Sequence, residues 1–395
     1  DSIFQCYEIL KADDKSLHTL NTLGLCFLKL ERYDEANKTL LKAISLDNQN
    51  IVILNSLGRL NHELRKSKEA ESFFDKAFAL NPYSFETLNN MAGFYLEEEK
   101  YQKAINFYKK AEKLKPNNPI LINNIAKTFM CLHDVGEAEK HCRRAISIDQ
   151  KNDEFKKILA LILLKKYDFK NAWLSFDGRL SLSDFANKNP TLKLIKNKIP
   201  NKNILNKSSR ILVLREQGIG DELLYGTMYN DLLNEFSNLV IECDERLITL
   251  FNNSFKFHKE KFVKLGTHSL DTKKINNFDY IIYAGSLGKY LRNDLNSFSQ
   301  NPYIKSLENY KDLELDNILS KTQGLKIGIS WKSLNNRYSS EKSLSLEDFE
   351  NIFKIKDSTI FNLQYGDVKD DLKSFTKKLD YKIITLETLD IFNNF

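Results

Sequence analysis

Seven consecutive residues, Glu216-Gln217-Gly218-Ile219-Gly220-Asp221-Glu222, are the part of this sequence best suited to chemistry. Glycines placed between an apolar run and a helical segment allow a tight turn and bring backbone N–H groups close to a ligand at the helix N-terminus. Asp221 and Glu222 fall in the first turn of that segment, where the helix dipole favours negative charge. A carboxylate there can take the proton from an attacking hydroxyl; the plainer role is capping its own helix. As a dinucleotide fingerprint the turn is incomplete, because Leu223 stands where the third glycine belongs. Glu242 nevertheless lies about where a ribose-binding acid would.

A second group is cationic. The apolar run Lys326–Ser330 leads into a loop carrying Lys332, Arg337 and Lys342. Such a strand-to-helix loop suits a pyrophosphate, whose negative charge grows as it leaves; a solvated basic loop is the alternative. Ser345 with Asp348 three residues on gives a capping-box pattern for the next helix. Four of the six histidines (His18, His62, His133, His141) fall in helical repeats without ligand spacing, so no metal site is expected.

Short apolar runs alternating with helical segments must position these groups, which is the pattern of an α/β domain. Strands are expected at 210–215, 238–243 and 278–283, helices at 221–235 and 245–253, and a turn at Gly285 and Gly288. This first Rossmann-like domain would span 210–320. A second begins at 325–395, with a further strand and turn from Phe361 to Gly366. Residues 187–209, rich in Lys, Asn and Pro, read as a linker.

The first half, 1–186, repeats every 34 residues, from Leu17, Ile51, Phe85, Pro119 and Asp153. Small residues recur at column 8 (Gly24, Gly58, Ala92, Ala126, Ala160) and column 20 (Ala36, Ala70, Ala104, Ala138, Ala172). They let paired helices approach closely. Large residues at column 24 (Leu40, Phe74, Tyr108, Cys142, Phe176) fill the space between neighbouring pairs, and Pro82 and Pro116 end helices. Ser2 to Asp14 reads as the second helix of an earlier, partial repeat. The pattern resembles the tetratricopeptide repeat at every diagnostic column over roughly residues 17–186. That resemblance implies an α-helical superhelix whose groove takes a protein or peptide. Asn21, Asn55, Asn89 and Asn123 form a column-5 ladder able to offer amides to a partner backbone. The next column adds Asn90 and Asn124, where related arrays usually carry their ladder. Trp173 and Arg179 depart from the pattern and mark a cap or joint.

The strand, the Glu-Gln-Gly-Ile-Gly-Asp turn and the following helix resemble the first domain of bacterial glycosyltransferases of the heptosyltransferase type, especially those fused behind tetratricopeptide repeats. Trp173, Phe176 and Arg179 upstream, with Phe278-Asp279-Tyr280, Ser286-Leu287 and Pro302-Tyr303 downstream, extend the likeness over most of residues 165–395. The architecture is also similar to the O-linked N-acetylglucosamine transferases, which pair a repeat array with two facing Rossmann-like domains, the GT-B fold. The resemblance implies Asp221 as general base, with Glu222 able to share the role. It also implies a nucleotide-sugar as donor substrate, no bound cofactor, and binding by Gln217, Gly218, Gly220, Lys332, Arg337 and Lys342. The 71 residues from Leu325 to Phe395 are about half of such a second domain, so the chain reads as truncated at its C-terminus.

The whole chain of 395 residues carries a net charge of +6 with its basic residues scattered, which argues against a DNA-binding role. Five dispersed cysteines without C-x-x-C point to buried thiols in a reducing, cytoplasmic setting. No apolar stretch is long enough to span a bilayer. Two functions are therefore expected: a metal-independent glycosyltransferase acting on a partner recruited by the repeats, or a non-catalytic protein-interaction scaffold with a degenerate GT-B domain.

Overall fold

Alternating small and large residues at a 34-residue spacing build a stack of helix pairs. The computed structural model describes residues 2–200, 206–216, 218–258, 260–305, 313–333, 343–379 and 383–386. Helix α1 (Ser2–Ala12) is followed by five pairs among the described residues: α2 (Leu17–Lys29) with α3 (Tyr33–Leu46), α4 (Ile51–Glu63) with α5 (Ser67–Leu80), α6 (Phe85–Glu97) with α7 (Tyr101–Leu114), α8 (Pro119–Cys131) with α9 (Val135–Ile148), and α10 (Asp153–Lys165) with α11 (Phe169–Phe176). Asn50, Ser84, Asn118 and Asn152 cap the first helices of the later pairs, each accepting a backbone N–H with its side chain. Each first helix ends on a left-handed residue that is not glycine: Glu31, Arg65, Glu99, His133 and Tyr167.

The large residue at column 24 sits on the small residue at column 8 of its own pair. A Cβ added to Gly24 would lie 2.7 Å from Leu40, and one on Gly58 would lie 2.6 Å from Phe74. Column 24 also reaches the neighbouring pair, as expected: Phe74 packs on Phe94 with ring centroids 5.6 Å apart. The fifth pair differs: α11 has 8 residues where earlier second helices have 14. A 3-10 turn (Asp177–Ser181) and α12 (Ser183–Lys188) follow. Arg179 is buried there, its guanidinium 4.2 Å from the Phe176 ring and 3.3 Å from Asp177.

The chain divides into two units, 1–188 with 292–298, and 189–291 with 299–395. Of the expected linker, residues 189–200 and 206–209 are described and fall in the second unit. Helix α13 (Leu192–Ile195) buries Ile195, and Lys198 Nζ donates to the Phe278 carbonyl at 2.7 Å.

The second unit holds two parallel sheets. In the first, β1 (Ile211–Leu214), β2 (Leu239–Cys243), β3 (Phe262–Lys264) and β4 (Tyr280–Tyr283) lie in the order β3-β2-β1-β4. Leu214 pairs with Glu242 on one side and Tyr283 on the other. All four residues of β1 are buried, as a central parallel strand with both faces covered requires. Helices α14 (Ile219–Gly226), α15 (Tyr229–Glu235), α16 (Glu245–Ser254), α17 (Thr272–Ile275) and α18 (Gly288–Leu291) connect and follow these strands. Tyr229, Phe251, Phe255 and Phe262 form the aromatic centre of the core.

The single helix expected over 221–235 is two helices. The Tyr303 hydroxyl donates to the Leu223 carbonyl, so the Thr227 N–H turns to Leu224 instead. A Cβ on Gly226 would meet that hydroxyl at 2.5 Å.

The second sheet has the order β5-β6-β7, with β5 (Leu325–Ile329), β6 (Ser358–Asn362) and β7 (Ile383–Thr385). Helix α19 (Leu313–Lys321) precedes it, and α20 (Glu350–Phe353) and α21 (Lys369–Leu379) connect its strands. Its core gathers Ile329, Trp331, Leu346, Phe353, Ile360, Val368 and Phe375. Ser345 and Asp348 form a reciprocal capping box.

Candidate functional site

In the first sheet the chain runs outward from β1 through β2 to β3, then returns to place β4 on the other side of β1. Open parallel sheets bind ligands beyond the carboxyl ends of their strands at such a reversal. The turn after β1 lies there. Gly218 takes the N-cap position of α14 with φ −77° and ψ 175°, and no side chain caps the helix. Neither Gly218 nor Gly220 has a positive φ, and a Cβ added to either meets nothing within 4 Å. Among the described residues, neither backbone conformation nor packing asks for glycine at these two positions.

Asp221 is the third residue of α14 and half-buried. Its carboxylate makes no hydrogen bond or ion pair with the described residues, so the capping role is not filled. Glu222, one position on and so about 100° around the helix, is 1% exposed. Its Oε2 accepts the Asp244 backbone N–H at 2.9 Å, and its Oε1 lies 2.9 Å from Arg215 Nε without hydrogen-bond alignment. Burial pushes its carboxyl up to about 7, against the opposing pull of the Asp244 amide and Arg215. Arg215 also reaches Asp244 at 2.9 Å. Asp244 caps α16 by accepting the Arg246 N–H and is held far below the usual carboxylate range, chiefly by the Arg246 side chain. Glu222, Arg215 and Asp244 therefore tie the turn after β1 to the turn after β2. Of the two carboxylates in the first turn of α14, Asp221 alone is unpaired among the described residues.

The dinucleotide reading fails on Glu242. Its carboxylate is 1% exposed and accepts from Gly266 N at 3.0 Å, His268 N at 2.6 Å, Ser269 N at 2.9 Å and Ser269 Oγ at 2.6 Å. With four donors from one loop it has no capacity for a ribose.

In the second sheet, buried Gln364 organises the loop that carries Lys332. Its Oε1 accepts from Trp331 N at 2.9 Å, Lys332 N at 2.8 Å and Ser330 Oγ at 3.1 Å. The Lys332 ammonium pairs with Asp371 on α21. Gln217, Arg337 and Lys342 lie outside the described residues. The roles of Gln364 and the Arg215–Asp244 pair were missed in the sequence, since each depends on a neighbour some thirty residues away.

The asparagine column points mostly inward. Asn21, Asn55 and Asn123 are buried, and Asn89 is half-buried. Asn21 Oδ1 accepts from Ser56 at 2.7 Å, and Asn55 Nδ2 donates to Ile51 O at 3.0 Å and Thr87 Oγ1 at 2.9 Å. These amides join successive repeats. In the next column Asn90 and Asn124 are half-buried as well. Among the described residues no three His, Cys, Asp or Glu side chains gather as a metal-holding group, and no helix is long and apolar enough to cross a membrane.

Residues 17–50, 51–84 and 95–162 match families described as tetratricopeptide repeat. Protein FlbA of Caulobacter vibrioides is 24% identical over 203 residues, covering 47% of this chain and 33% of FlbA. The chain thus spans about a third of the length of that curated relative. A thermophilic TPR protein of Thermus thermophilus aligns with a TM-score of 0.40 and 19% identity over 45% of this chain and 96% of that one. Yeast Tom70 aligns with a TM-score of 0.41 and 23% identity over 46% of this chain and 39% of its own. Residues 17–84 and 95–162 of this chain are tetratricopeptide repeats.

Proposed function

We propose that the repeats hold a protein partner and that the α/β unit, as a Rossmann-like GT-B glycosyltransferase, moves a sugar onto an acceptor from a nucleotide-sugar. The observation that carries this reading is the Asp221 carboxylate, unpaired among the described residues, beside two glycines whose added Cβ meets no described atom within 4 Å, at the strand reversal. An acceptor hydroxyl attacks the anomeric carbon and passes its proton to Asp221. The bond from that carbon to the diphosphate oxygen breaks, and the nucleoside diphosphate leaves with the electron pair. Gly218 and Gly220 allow close backbone approach, with Gln217 as a further substrate-binding residue; Lys332, Arg337 and Lys342 answer the diphosphate charge without a metal. Glu222 supports the turn. Stacked repeats of this kind present an extended concave surface to partners, and Asn89, Asn90 and Asn124 are the asparagines with exposed surface to offer there.

One observation favours the alternative of a non-catalytic scaffold: Lys332 already pairs with Asp371. Calorimetric titration with UDP-, GDP- and ADP-sugars separates the two. The transferase reading expects one of them to bind, and Asp221→Ala to lower turnover roughly 10²–10⁴-fold while the donor still binds. Absence of binding by every donor leaves only the protein-interaction role; unchanged turnover in the variant moves the base elsewhere.

A further inference from the structure

The residues 292–298 stand out because their sequence neighbours on both sides belong to the α/β unit, yet they fold with the repeats. The Trp173 indole N–H donates to the Arg292 carbonyl at 2.6 Å. Phe298 packs on Phe169 with ring centroids 4.7 Å apart. Arg292 is 3% exposed, its guanidinium 5.6 Å from the Phe298 ring. Asp294 and Ser297 close a reciprocal capping box within the segment. The fifth repeat has the features to hold such a segment. Its second helix is cut to 8 residues. At the column of Trp173, earlier repeats carry Asn37, Glu71, Ile105 and Glu139, none with an indole donor.

We propose that residues 292–298 are a strap: a segment of the repeat unit that the fifth repeat holds and that the chain joins directly to α18, so that order at the end of the array and order in α18 rise and fall together. Covalent continuity supplies the link. Helix α18 ends at Leu291, immediately before the strap, and it follows β4, whose last residue Tyr283 pairs with Leu214 at the base of the Asp221 turn. Releasing the strap gives slack to the chain leaving β4. Any partner that favours the held form of the fifth repeat then favours one arrangement of that segment, and the coupling is reciprocal.

Amide hydrogen exchange on the full chain tests this without any donor or acceptor, so its outcome is independent of the transferase reading. Trp173→Phe keeps a ring and removes the donor; Trp173→Ala removes both. Exchange across 293–298 is expected to quicken roughly fivefold in the first and more than about tenfold in the second. Residues 288–291 should quicken alongside, while α2 to α7 stay unchanged. The proposal is overturned if the segment keeps wild-type protection in both variants, or if it loosens while α18 does not. Should Trp173→Ala loosen the whole array, Trp173→Phe alone decides between these results.

Discussion

Gly58 in the repeats and Gly218 at the turn after β1 look alike in sequence and have opposite surroundings. At Gly58 the missing Cβ is replaced by the ring of Phe74, 2.6 Å from where it would stand. At Gly218 and Gly220 the missing Cβ is replaced by nothing within 4 Å. Polar groups divide the same way. Asn21 and Asn55 are hydrogen-bonded to the next repeat, whereas Asp221 has no partner among the described residues. Buried polar groups are stabilised by pairing, and the repeat asparagines follow that rule, whereas the half-buried Asp221 is unpaired among the described residues. The repeat glycines are explained by packing; packing among the described residues does not explain those at the turn.

The largest effect should fall on that contrast. Asp221→Asn is expected to lower transfer roughly 10²–10⁴-fold while leaving the urea midpoint of the α/β unit unchanged, because it removes no internal bond. A variant that instead unfolds the unit would show that Asp221 is structural, as the repeat asparagines are.

Glu222 gives the next largest effect, read as a pH dependence. Its folded carboxyl titrates at about 7, above its ordinary value of 4.5. Folding therefore favours the protonated group. Its stabilising contribution is complete below 4.5 and is lost as pH rises through 7, a swing of about 3 kcal/mol. Glu222→Gln cannot ionise and can still accept the Asp244 N–H, so its stability should be flatter between pH 4.5 and 8. Denaturant midpoints at the two pH values measure this. Equal slopes in variant and wild type would locate the titration in another group.

The two glycines offer a direct pairing. Gly58→Ala should cost about 1–3 kcal/mol by overpacking against Phe74. Gly220→Ala, at the second position of α14, should stabilise the unit by about 0.4–1 kcal/mol, since alanine has less freedom to lose from the unfolded chain. If both substitutions destabilise equally, the space at the turn is filled within the fold and the comparison fails.

Legibility in the sequence followed the same division. The array could be read because each column is written five times, so Gly58, Ala92 and Ala126 interpret one another. Strands β1, β2 and β4 were visible as apolar runs. β3 was not, since Phe262-Val263-Lys264 is too short to show a period. The break of the expected 221–235 helix depends on Tyr303, and the occupation of Glu242 depends on the loop at 266–269. Neither contact leaves a local trace. The asparagine column was legible as a column but not in its direction, because its partners Ser56 and Thr87 lie in the following repeat.

The asparagines yield the smallest and most discriminating test. Asn55→Ala removes the bonds to Ile51 and Thr87, but Thr87 keeps its hydroxyl contact to Ser84 at 3.0 Å. No buried donor is stranded, so the loss should be only about 1 kcal/mol, seen as a lower thermal midpoint of the repeat unit. Asn89→Ala, at a half-buried position of the same column, should leave that midpoint nearly unchanged and lower affinity for a groove-bound partner instead. Interchanged results, with affinity falling at Asn55 and stability at Asn89, would mean that the column faces the partner where it is buried here. The separation of the two effects along one column therefore measures where internal packing ends and recognition begins.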